Sequence, residues 1–515
     1  MAETLQEFLS KLQKNPERYQ SLIGSGDANA LQYGFKGKRA VHPGMNSKPV
    51  APSQTQGLWQ KLMAGEASSG RKRMAYIHIP FCSHICLYCG FFQNHTNEAR
   101  ENEYVEHLLQ EIAWAKHDNM VQAKPIQCVF FGGGTPSALS PENISRVLQK
   151  LRECLPLSND CEITMEARVN DLDKERIEAW FNNGVNRVSL GVQSFDTKIR
   201  QACGRLDTQE TVIDRLKLLT SYDQASVIVD IIFGLPGQTT ESFIHDLEII
   251  DSLPISGMDL YQLNLFGNSP MAKAIENGKL PKAATRAEQS LMFKAAEEWL
   301  QARAYKRLSN CHWSKDIRER SMYNILAKTG ADVFPFGCGA GGFIGDYSVM
   351  QHRDLKKYNA SIDAGEKPIM FMGGKSPFER IHNAISQNME QGYFNLAALV
   401  KENNPDLKQM EALLDIWCQN GLMTKGEALY WQTQAGRFWQ NNLTQTLIEC
   451  AEMILAKQQV KPVHGEMGMP GISHAIKLDK EKQAIIEEMR KNGTMPEGMR
   501  QALAMMAEKE DRMSV

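Results

Sequence analysis

The sequence has neither a long apolar run nor a strong excess of charge of one sign. No stretch approaches the roughly 18 uninterrupted apolar residues that a membrane-spanning helix needs. The start, Met1-Ala-Glu-Thr-Leu5, lacks the basic and apolar regions of a secretory signal. With 58 basic and 60 acidic residues, the formal net charge is −2, which does not point to nucleic acid. These absences predict a cytoplasmic protein with no membrane and no nucleic acid partner.

The cysteines lack the even count and the paired spacing of a disulfide or zinc framework. Three of the eleven lie close together as Cys82-x-x-x-Cys86-x-x-Cys89. A structural zinc knuckle is the alternative interpretation, but zinc sites usually use two Cys-x-x-Cys halves and a fourth ligand. Three thiolates on one loop instead suit an iron-sulfur cube with one iron left open for another ligand. The other eight are expected to be reduced core thiols: Cys128, Cys154, Cys161, Cys203, Cys311, Cys338, Cys418 and Cys450.

Length and hydrophobic pattern indicate several folded units, one of them built from parallel β/α repeats. A chain of 515 residues exceeds the usual size of a single core. Between residues 74 and 303, short β-branched runs alternate with amphipathic helical runs. The predicted strands are Ala75–Ile79, Cys128–Gly132, Cys161–Ala167, Arg187–Val192, Ser226–Phe233 and Met258–Leu263. Six such units make a partial barrel, because a full barrel of this type has about eight.

Polar and glycine-rich motifs fall at the ends of these strands, where β/α barrels carry their reactive groups. The cysteine loop follows the first strand, and the run Gly132-Gly-Gly-Thr-Pro136 follows the second. Glu166, Gln193 and Asp230 lie at the ends of the next three strands. Glycines usually mark a plain turn, and single carboxylates usually lie on the surface. A polar group in a buried strand is costly without a partner, however, and a bound cofactor would supply one.

Taken together, these motifs resemble the radical S-adenosylmethionine (SAM) enzymes, and within them the family of oxygen-independent coproporphyrinogen III dehydrogenase. The likeness extends from about Tyr76 to Pro281, and the phrases Val192-Gln-Ser-Phe195 and Asp230-x-x-Phe-Gly-Leu-Pro-Gly-Gln-Thr239 are characteristic. It implies a 4Fe-4S cluster whose open iron binds SAM. The implied cluster ligands are Cys82, Cys86 and Cys89. The residues implied to hold this SAM are Tyr76, Gly133, Gly134, Thr135, Glu166, Gln193, Arg205 and Asp230.

The same resemblance implies a second SAM molecule beside the first. Its contacts would be Tyr88, the aromatic residue before the third cysteine, and a position at Leu265 or Phe266. Tyr88 is therefore the residue implied to take part directly in catalysis.

Three activities occur in this family, and departures in the sequence distinguish them. Coproporphyrinogen dehydrogenases carry a fourth cysteine two residues after the third, where this chain has Phe91. Haem-chaperone relatives are shorter and usually follow the third cysteine with Asp-Phe, where this chain has Gly90-Phe91. The early run Lys38-Arg-Ala-Val-His-Pro43 and the loop ending Cys89-Gly-Phe-Phe92 are most similar to the anaerobic haem-degrading methyltransferases. Dehydrogenase and chaperone activity stay as alternatives.

The resemblance to the methyltransferases implies a definite reaction. A flavodoxin- or ferredoxin-type donor would reduce the cluster, and the reduced cluster would split the first SAM into methionine and a 5′-deoxyadenosyl radical. That radical would take a hydrogen from the methyl group of the second SAM, and the resulting carbon radical would attack haem. Ring opening without oxygen would give a linear methylated tetrapyrrole and release iron.

The expected fold is α/β: a partial (β/α)6 radical SAM barrel with an N-terminal extension and a C-terminal helical, winged-helix-like domain. The strand-turn-strand pattern of Leu422–Thr433 indicates the winged helix. Helices are expected at Asp479–Lys491 and Pro496–Arg512 in a methionine-rich tail. The predicted division is an N-terminal extension over 1–73, the barrel over 74–303, a barrel extension over 304–375, the winged-helix-like domain over 376–455 and the tail over 456–515.

Overall fold

The computed structural model describes residues 4–41, 48–67, 70–90, 94–265, 267, 269–456 and 491. The helices predicted at 479–491 and 496–512 lie outside these ranges, residue 491 excepted, and so do Phe91 and Phe266. No helix within the described ranges is long and apolar enough to cross a membrane.

The strands form one large mixed sheet and two small ones. They are β1 (Lys48–Pro49), β2 (Arg73–Ile79), β3 (Phe81–Cys82), β4 (Asn94–His95), β5 (Ile126–Gly133), β6 (Leu157–Arg168), β7 (Arg187–Gln193), β8 (Ser226–Phe233), β9 (Gly257–Gln262), β10 (Lys306–Arg307), β11 (His312–Ser314), β12 (Asp332–Phe336), β13 (Gly341–Ile344), β14 (Tyr347–Gln351), β15 (Ile369–Gly374), β16 (Tyr393–Phe394), β17 (Met423–Lys425) and β18 (Tyr430–Gln432). The large sheet has the order β1-β15-β14-β13-β12-β2-β5-β6-β7-β8-β9-β11-β10. Its central strands, from β12 to β9, run parallel.

Helices connect the parallel strands and cover the sheet. They are α1 (Leu5–Leu12), α2 (Pro16–Leu22), α3 (Ala30–Tyr33), α4 (Pro52–Ala64), α5 (Glu98–Trp114), α6 (Asn119–Gln122), α7 (Pro141–Cys154), α8 (Lys174–Asn182), α9 (Thr197–Ala202), α10 (Gln209–Ser221), α11 (Thr240–Ser252), α12 (Pro270–Glu276), α13 (Arg286–Ala302), α14 (Met322–Lys328), α15 (Leu355–Asp363), α16 (Glu379–Glu390), α17 (Leu396–Glu402), α18 (Glu411–Gln419), α19 (Gln434–Phe438) and α20 (Gln440–Ala456). Capping residues in the sequence mark the N-termini of many of these helices. Ser140, for example, caps α7 by accepting from the Asn143 N–H, and Pro141 occupies the first helical position.

The predicted partial barrel is confirmed. The six predicted strands correspond to β2, β5, β6, β7, β8 and β9, which are neighbours in that order. Their apolar residues are buried because helices cover the outer face, while the polar residues of the motifs alternate with them and face inward.

The strands from β12 to β15 were not predicted from the hydrophobic pattern. β12 pairs in parallel with β2, from Asp332 opposite Arg73 to Phe336 opposite Ile77. β13, β14 and β15 continue the sheet in antiparallel order. These strands are short and contain proline and glycine, which weaken the sequence signal of a strand. The glycine-rich run 336–345 spans the end of β12, the turn over 337–340 and the strand β13.

The N-terminal segment packs against the C-terminal helices. The indole N–H of Trp439 donates to the carbonyl oxygen of Ala30 at 2.9 Å. The indole N–H of Trp417 donates to the carbonyl oxygen of Ile23 at 3.0 Å. These buried contacts join α1–α3 to the part of the chain that carries α18–α20. The predicted strand-turn-strand is present as β17 and β18, which pair antiparallel beside β16.

The scattered cysteines are all free thiols. Six of the eight expected core thiols are buried, which confirms that part of the prediction. Cys311 and Cys418 are only half-buried, so the prediction of a core position is wrong for these two.

Candidate active site

The cysteine loop, residues 82–90, leaves the end of β2 and is held by three neighbouring segments. The hydroxyl of Thr135, in the turn after β5, donates to Cys82 Sγ at 3.3 Å. The guanidinium of Arg168, at the end of β6, donates to the carbonyl of His84 at 2.9 Å. The Leu87 N–H donates to the carbonyl of Cys203, beyond β7, at 3.1 Å. The loop is therefore anchored to three successive β/α units at the carboxyl ends of their strands.

The donor chemistry of this loop fits an iron-sulfur cluster. Cys82 and Cys86 are buried and Cys89 is half-buried, so all three cysteines are at least partly shielded from solvent. Burial raises the pKa of Cys82, which a bound iron would oppose by favouring the thiolate. In the described part of the chain, no three His, Cys, Asp or Glu side chains converge closely enough to hold a metal ion, these thiols included. Spacing and donor type, rather than a preformed coordination geometry, support the cluster here.

The glycine-rich turn packs directly against this loop and has no room for side chains. Gly133 has a φ of +114°, and a Cβ there would lie 2.7 Å from His78 Nε2. A Cβ at Gly134 would lie 2.5 Å from the carbonyl oxygen of Phe81. The Gly134 N–H donates to the Ile79 carbonyl at 2.8 Å. Space and backbone conformation both require glycine, so the turn can offer its bare backbone to a ligand.

Two acidic side chains face each other inside the barrel. Burial raises the pKa of Glu166 to about 8, and the neighbouring Asp230 contributes to that shift. Burial, together with Asp259, raises the pKa of Asp230 to about 7. The Ser189 hydroxyl donates to Asp230 Oδ1 at 3.2 Å. Such a pair favours a ligand that brings positive charge or hydroxyl donors, and SAM has both.

Gln193, at the end of β7, adds an unpaired acceptor to these residues. It has a φ of +73°, a left-handed conformation that costs a non-glycine residue about 1–3 kcal/mol. Its side-chain Oε1 is buried and has no hydrogen-bond partner within the protein. A strained backbone that carries an unpaired buried acceptor is typical of a ligand-binding position.

Arg205 connects the cysteine loop to the end of β7. Its Nε donates to the hydroxyl of Tyr88 at 2.9 Å, and its Nη1 donates to the Gly191 carbonyl at 2.6 Å. Burial raises the pKa of the Tyr88 phenol, so the hydroxyl stays protonated and can itself donate to a ligand. Tyr88 is half-buried beside the cysteines, so part of its side chain is accessible.

The structure therefore brings most of the predicted site residues to one end of the barrel. Phe266 lies outside the described residues, whereas Leu265, the other position considered, is described and 42% exposed. The remaining residues line the ends of β2, β5, β6, β7 and β8 and the loops that follow: Tyr76, Cys82, Cys86, Tyr88, Cys89, Gly133, Gly134, Thr135, Glu166, Gln193, Arg205 and Asp230.

Sequence reasoning missed several polar residues inside the barrel. His78 Nδ1 lies at hydrogen-bond distance, 3.1 Å, from the Tyr76 hydroxyl oxygen, and His78 Nε2 is buried without a partner. Burial lowers the pKa of His78 to about 4, so this imidazole is neutral. Tyr76 and His78 are two residues apart on β2, so the alternation of side chains along the strand could have predicted the inward position of His78. Arg187, Asp259 and His312 form a second polar group deeper in the barrel, whose members are too far apart in sequence to suggest one another.

Comparison with known proteins agrees with this geometry. Residues 76–250 match the family model of the radical SAM superfamily. The chain is 39% identical to anaerobilin synthase of Escherichia coli O157:H7 over 424 residues, which cover 82% of this chain and 94% of that enzyme. The chain belongs to the anaerobilin synthase family. This assignment makes it a radical SAM enzyme, and the cofactors of that superfamily are a 4Fe-4S cluster and SAM.

Other relatives of the anaerobilin synthase family share a smaller part of the chain. The haem chaperone HemW of Bacillus subtilis is 28% identical over 56% of this chain and 75% of its own. The oxygen-independent coproporphyrinogen III oxidase of Helicobacter pylori is 27% identical over 57% of this chain. The solved structure of coproporphyrinogen III oxidase from Escherichia coli superposes with a TM-score of 0.67 at 20% identity, over 78% of this chain and 96% of that one. That likeness shows the fold, and it confirms the predicted α/β barrel with its C-terminal helical domain.

Proposed function

We propose that this chain opens the haem macrocycle without oxygen, by radical transfer of a methyl group from SAM, to give a linear methylated tetrapyrrole and release iron. The observation that carries the proposal is the 39% identity to anaerobilin synthase, because it covers 94% of that enzyme. The alignment with the haem chaperone of Bacillus subtilis covers only 56% of this chain. The likeness to anaerobilin synthase is thus higher in identity, and covers more of this chain, than the alignments with this chaperone and with the coproporphyrinogen III oxidase of Helicobacter pylori.

In this proposal the cysteine loop and the residues beside it at this end of the barrel hold the cofactors. Cys82, Cys86 and Cys89 would bind the 4Fe-4S cluster. When bound, the cluster and SAM supply the electron and the carbon-sulfur bond from which the radical chemistry starts. The first SAM would lie against the bare backbone of Gly133 and Gly134, and the remaining contacts would come from Tyr76, Thr135, Glu166, Gln193, Arg205 and Asp230.

The contribution of the protein is to position these groups and to exclude competing reactions. The acceptors Glu166, Asp230 and Gln193 have few protein donors, so a ligand with hydroxyl and ammonium groups would satisfy them. Thr135 ties the turn that would contact SAM to Cys82, so the cluster and the SAM site keep a fixed separation.

A second SAM would take a place next to Tyr88. Arg205 fixes the Tyr88 hydroxyl through a 2.9 Å hydrogen bond and is itself fixed to the Gly191 carbonyl. We propose that Tyr88, with Phe266, holds the methyl-donating SAM between the first SAM and haem. The partners in this account are haem, or a related tetrapyrrole, as substrate and a flavodoxin- or ferredoxin-type electron donor.

The test is an anaerobic incubation of the reconstituted protein with haem, SAM and a reductant, with products identified by mass. The proposal predicts deoxyadenosine, S-adenosylhomocysteine and a tetrapyrrole heavier than the haem macrocycle by an added carbon unit. Haem binding without SAM cleavage would contradict it and favour a chaperone. Release of carbon dioxide from coproporphyrinogen, with haem left intact, would contradict it and favour the dehydrogenase. The Cys82→Ala variant is the matched control without a complete cluster site.

A further inference from the structure

A buried group of charged side chains lies deeper in the barrel than the proposed SAM site. His312, on β11, points its Nδ1 at Asp259 Oδ1, 2.9 Å away. Its Nε2 lies 3.1 Å from Glu319 Oε1, so the imidazole stands between two carboxylates. These three residues are 1–4% exposed. Such an arrangement stabilises the imidazolium form, because each ring nitrogen faces a negative charge.

On the side of this group away from Asp259, hydrogen bonds hold Glu319 in place. Arg187 Nε donates to both Glu319 oxygens, at 3.0 and 3.2 Å. The Ser226 hydroxyl donates to Glu319 Oε2 at 2.7 Å. Burial favours the neutral form of Glu319, but the hydrogen bonds and positive charges of His312 and Arg187 outweigh it and lower the pKa of Glu319 to about 2. The Glu319 carboxylate beside His312 is therefore ionised at physiological pH.

The near end of the group reaches the proposed SAM site. Asp259 on β9 is the direct neighbour of Asp230 on β8 in the parallel register, and the two side chains are on the same, inward face. Burial opposes the charge on His312, but Asp259 and Glu319 raise its pKa to about 9. Among the charged neighbours of Asp230, Asp259 raises the pKa of that carboxyl, and Arg187 and His312 lower it.

We propose that His312 and Asp259 are positioning residues that set the charge of Asp230, and with it the pH range over which the chain binds SAM. The inference rests on the proposed role of Asp230 as a SAM ligand. An ionised Asp230 accepts hydrogen bonds from a ribose or ammonium group, whereas the protonated form gives up part of that capacity. His312 favours the ionised form of Asp230 and Asp259 opposes it. The two residues therefore act on the charge of Asp230 in opposite directions.

Other titratable groups face this pair from the surrounding elements and stay unchanged in the variants below. They are Glu162 and Glu166 on β6, Arg187 on β7, Arg205 in the loop after α9, Tyr261 on β9, Cys311 on β11, Glu319 in the loop before α14, Lys328 on α14 and Glu390 on α16.

The test is the affinity for SAM as a function of pH, measured by equilibrium dialysis on the anaerobically reconstituted chain without haem or reductant. Loss of a cation beside Asp230 in His312→Gln should move the midpoint of binding to higher pH, by about one pH unit. Loss of an anion in Asp259→Asn should move it to lower pH by a similar amount, because Glu319 still holds the proton on His312. Damage to the fold would move both variants in the same direction.

The matched control is His382→Gln. His382 is also fully buried, and its Nε2 lies 3.0 Å from Glu452 Oε1, but it is on α16, away from the barrel interior. This variant should bind SAM with the pH midpoint of the wild type. Equal or parallel shifts in the His312 and Asp259 variants would overturn the inference, as would an unchanged midpoint in Asp230→Asn. Because no haem is present, these results do not depend on which tetrapyrrole product the enzyme makes.

Discussion

The hydroxyl of Thr135 donates a hydrogen bond to the sulfur of Cys82 at 3.3 Å and so joins the glycine-rich turn to the cysteine loop. The two segments come from different β/α units, which are adjacent because β2 and β5 pair in parallel. A ligand that binds the turn is therefore held at a fixed place relative to the cysteines.

Replacement of Cys82, Cys86 or Cys89 by alanine should abolish both iron binding and SAM cleavage, because a cube with one open iron needs three protein thiolates. Iron and sulfide content per chain and the visible absorption of the cluster measure the first effect. Cys418→Ala is the control, since this half-buried thiol lies on α18 in the C-terminal part. Normal iron content in any of the three loop variants would contradict the assignment.

Gly133→Ala should weaken SAM binding at least tenfold. A side chain at φ +114° is strained by about 1–3 kcal/mol, and its Cβ would lie 2.7 Å from His78 Nε2. The turn must then move away from the ligand or displace His78. Gly57→Ala is the matched control: Gly57 lies within α4 with open space at its Cβ, so alanine should stabilise the chain by roughly 0.8–1 kcal/mol. Equal SAM affinity in the two variants would exclude a close ligand approach at Gly133.

Tyr88→Ala should separate SAM cleavage from methyl transfer. If Tyr88 contacts only the second SAM, the variant should still form deoxyadenosine but make little S-adenosylhomocysteine or methylated tetrapyrrole. Both nucleosides can be quantified from one reaction by chromatography. Tyr88→Phe is the conservative comparison, because it keeps the ring and loses only the hydroxyl that accepts from Arg205. A parallel loss of both products in Tyr88→Ala would remove the support for a two-SAM arrangement.

Glu166→Gln should change how the stability of the SAM-free chain depends on pH. Burial raises the pKa of Glu166 from 4.5 to about 8, so the folded state binds more protons than the unfolded state between these values. The free energy of unfolding must therefore fall as pH rises through this range, and glutamine removes that loss. Unfolding midpoints at about pH 5 and about pH 8.5 should differ less in Glu166→Gln than in the wild type.

The exposed Glu402→Gln is the control for this comparison and should keep the wild-type dependence. SAM should stabilise the wild type but not Glu166→Gln, because the variant loses a proposed ligand contact. An unaltered pH dependence in Glu166→Gln would show that the pKa of this carboxyl is not raised in the folded chain.

The barrel could be predicted from the sequence because its signals are local. Each strand is a short β-branched run, and the polar residues Glu166 and Asp230 stand out within such runs. The cysteine loop and the glycine-rich turn are contiguous motifs for the same reason. Their meeting in space follows from parallel strands in sequence order, which places the carboxyl ends of all strands at one edge.

The rest depends on contacts between distant parts of the chain. His312 and Asp259 are 53 residues apart, and neither has a neighbour in sequence that suggests the pair. β12 pairs with β2, where Phe336 lies opposite Ile77 although the two residues are 259 positions apart in the sequence. Pairings of this kind are set by packing, which a pattern of hydrophobic residues in one segment does not encode.

The central claim is that a methyl group of SAM is the source of both a hydrogen atom and a carbon unit. The most direct measurement is an anaerobic reaction with haem and SAM that carries a fully deuterated methyl group. The account predicts deuterium in the deoxyadenosine and, in a tetrapyrrole product, an added carbon that carries remaining deuterium from the methyl group. Unlabelled deoxyadenosine together with an unlabelled tetrapyrrole would contradict it.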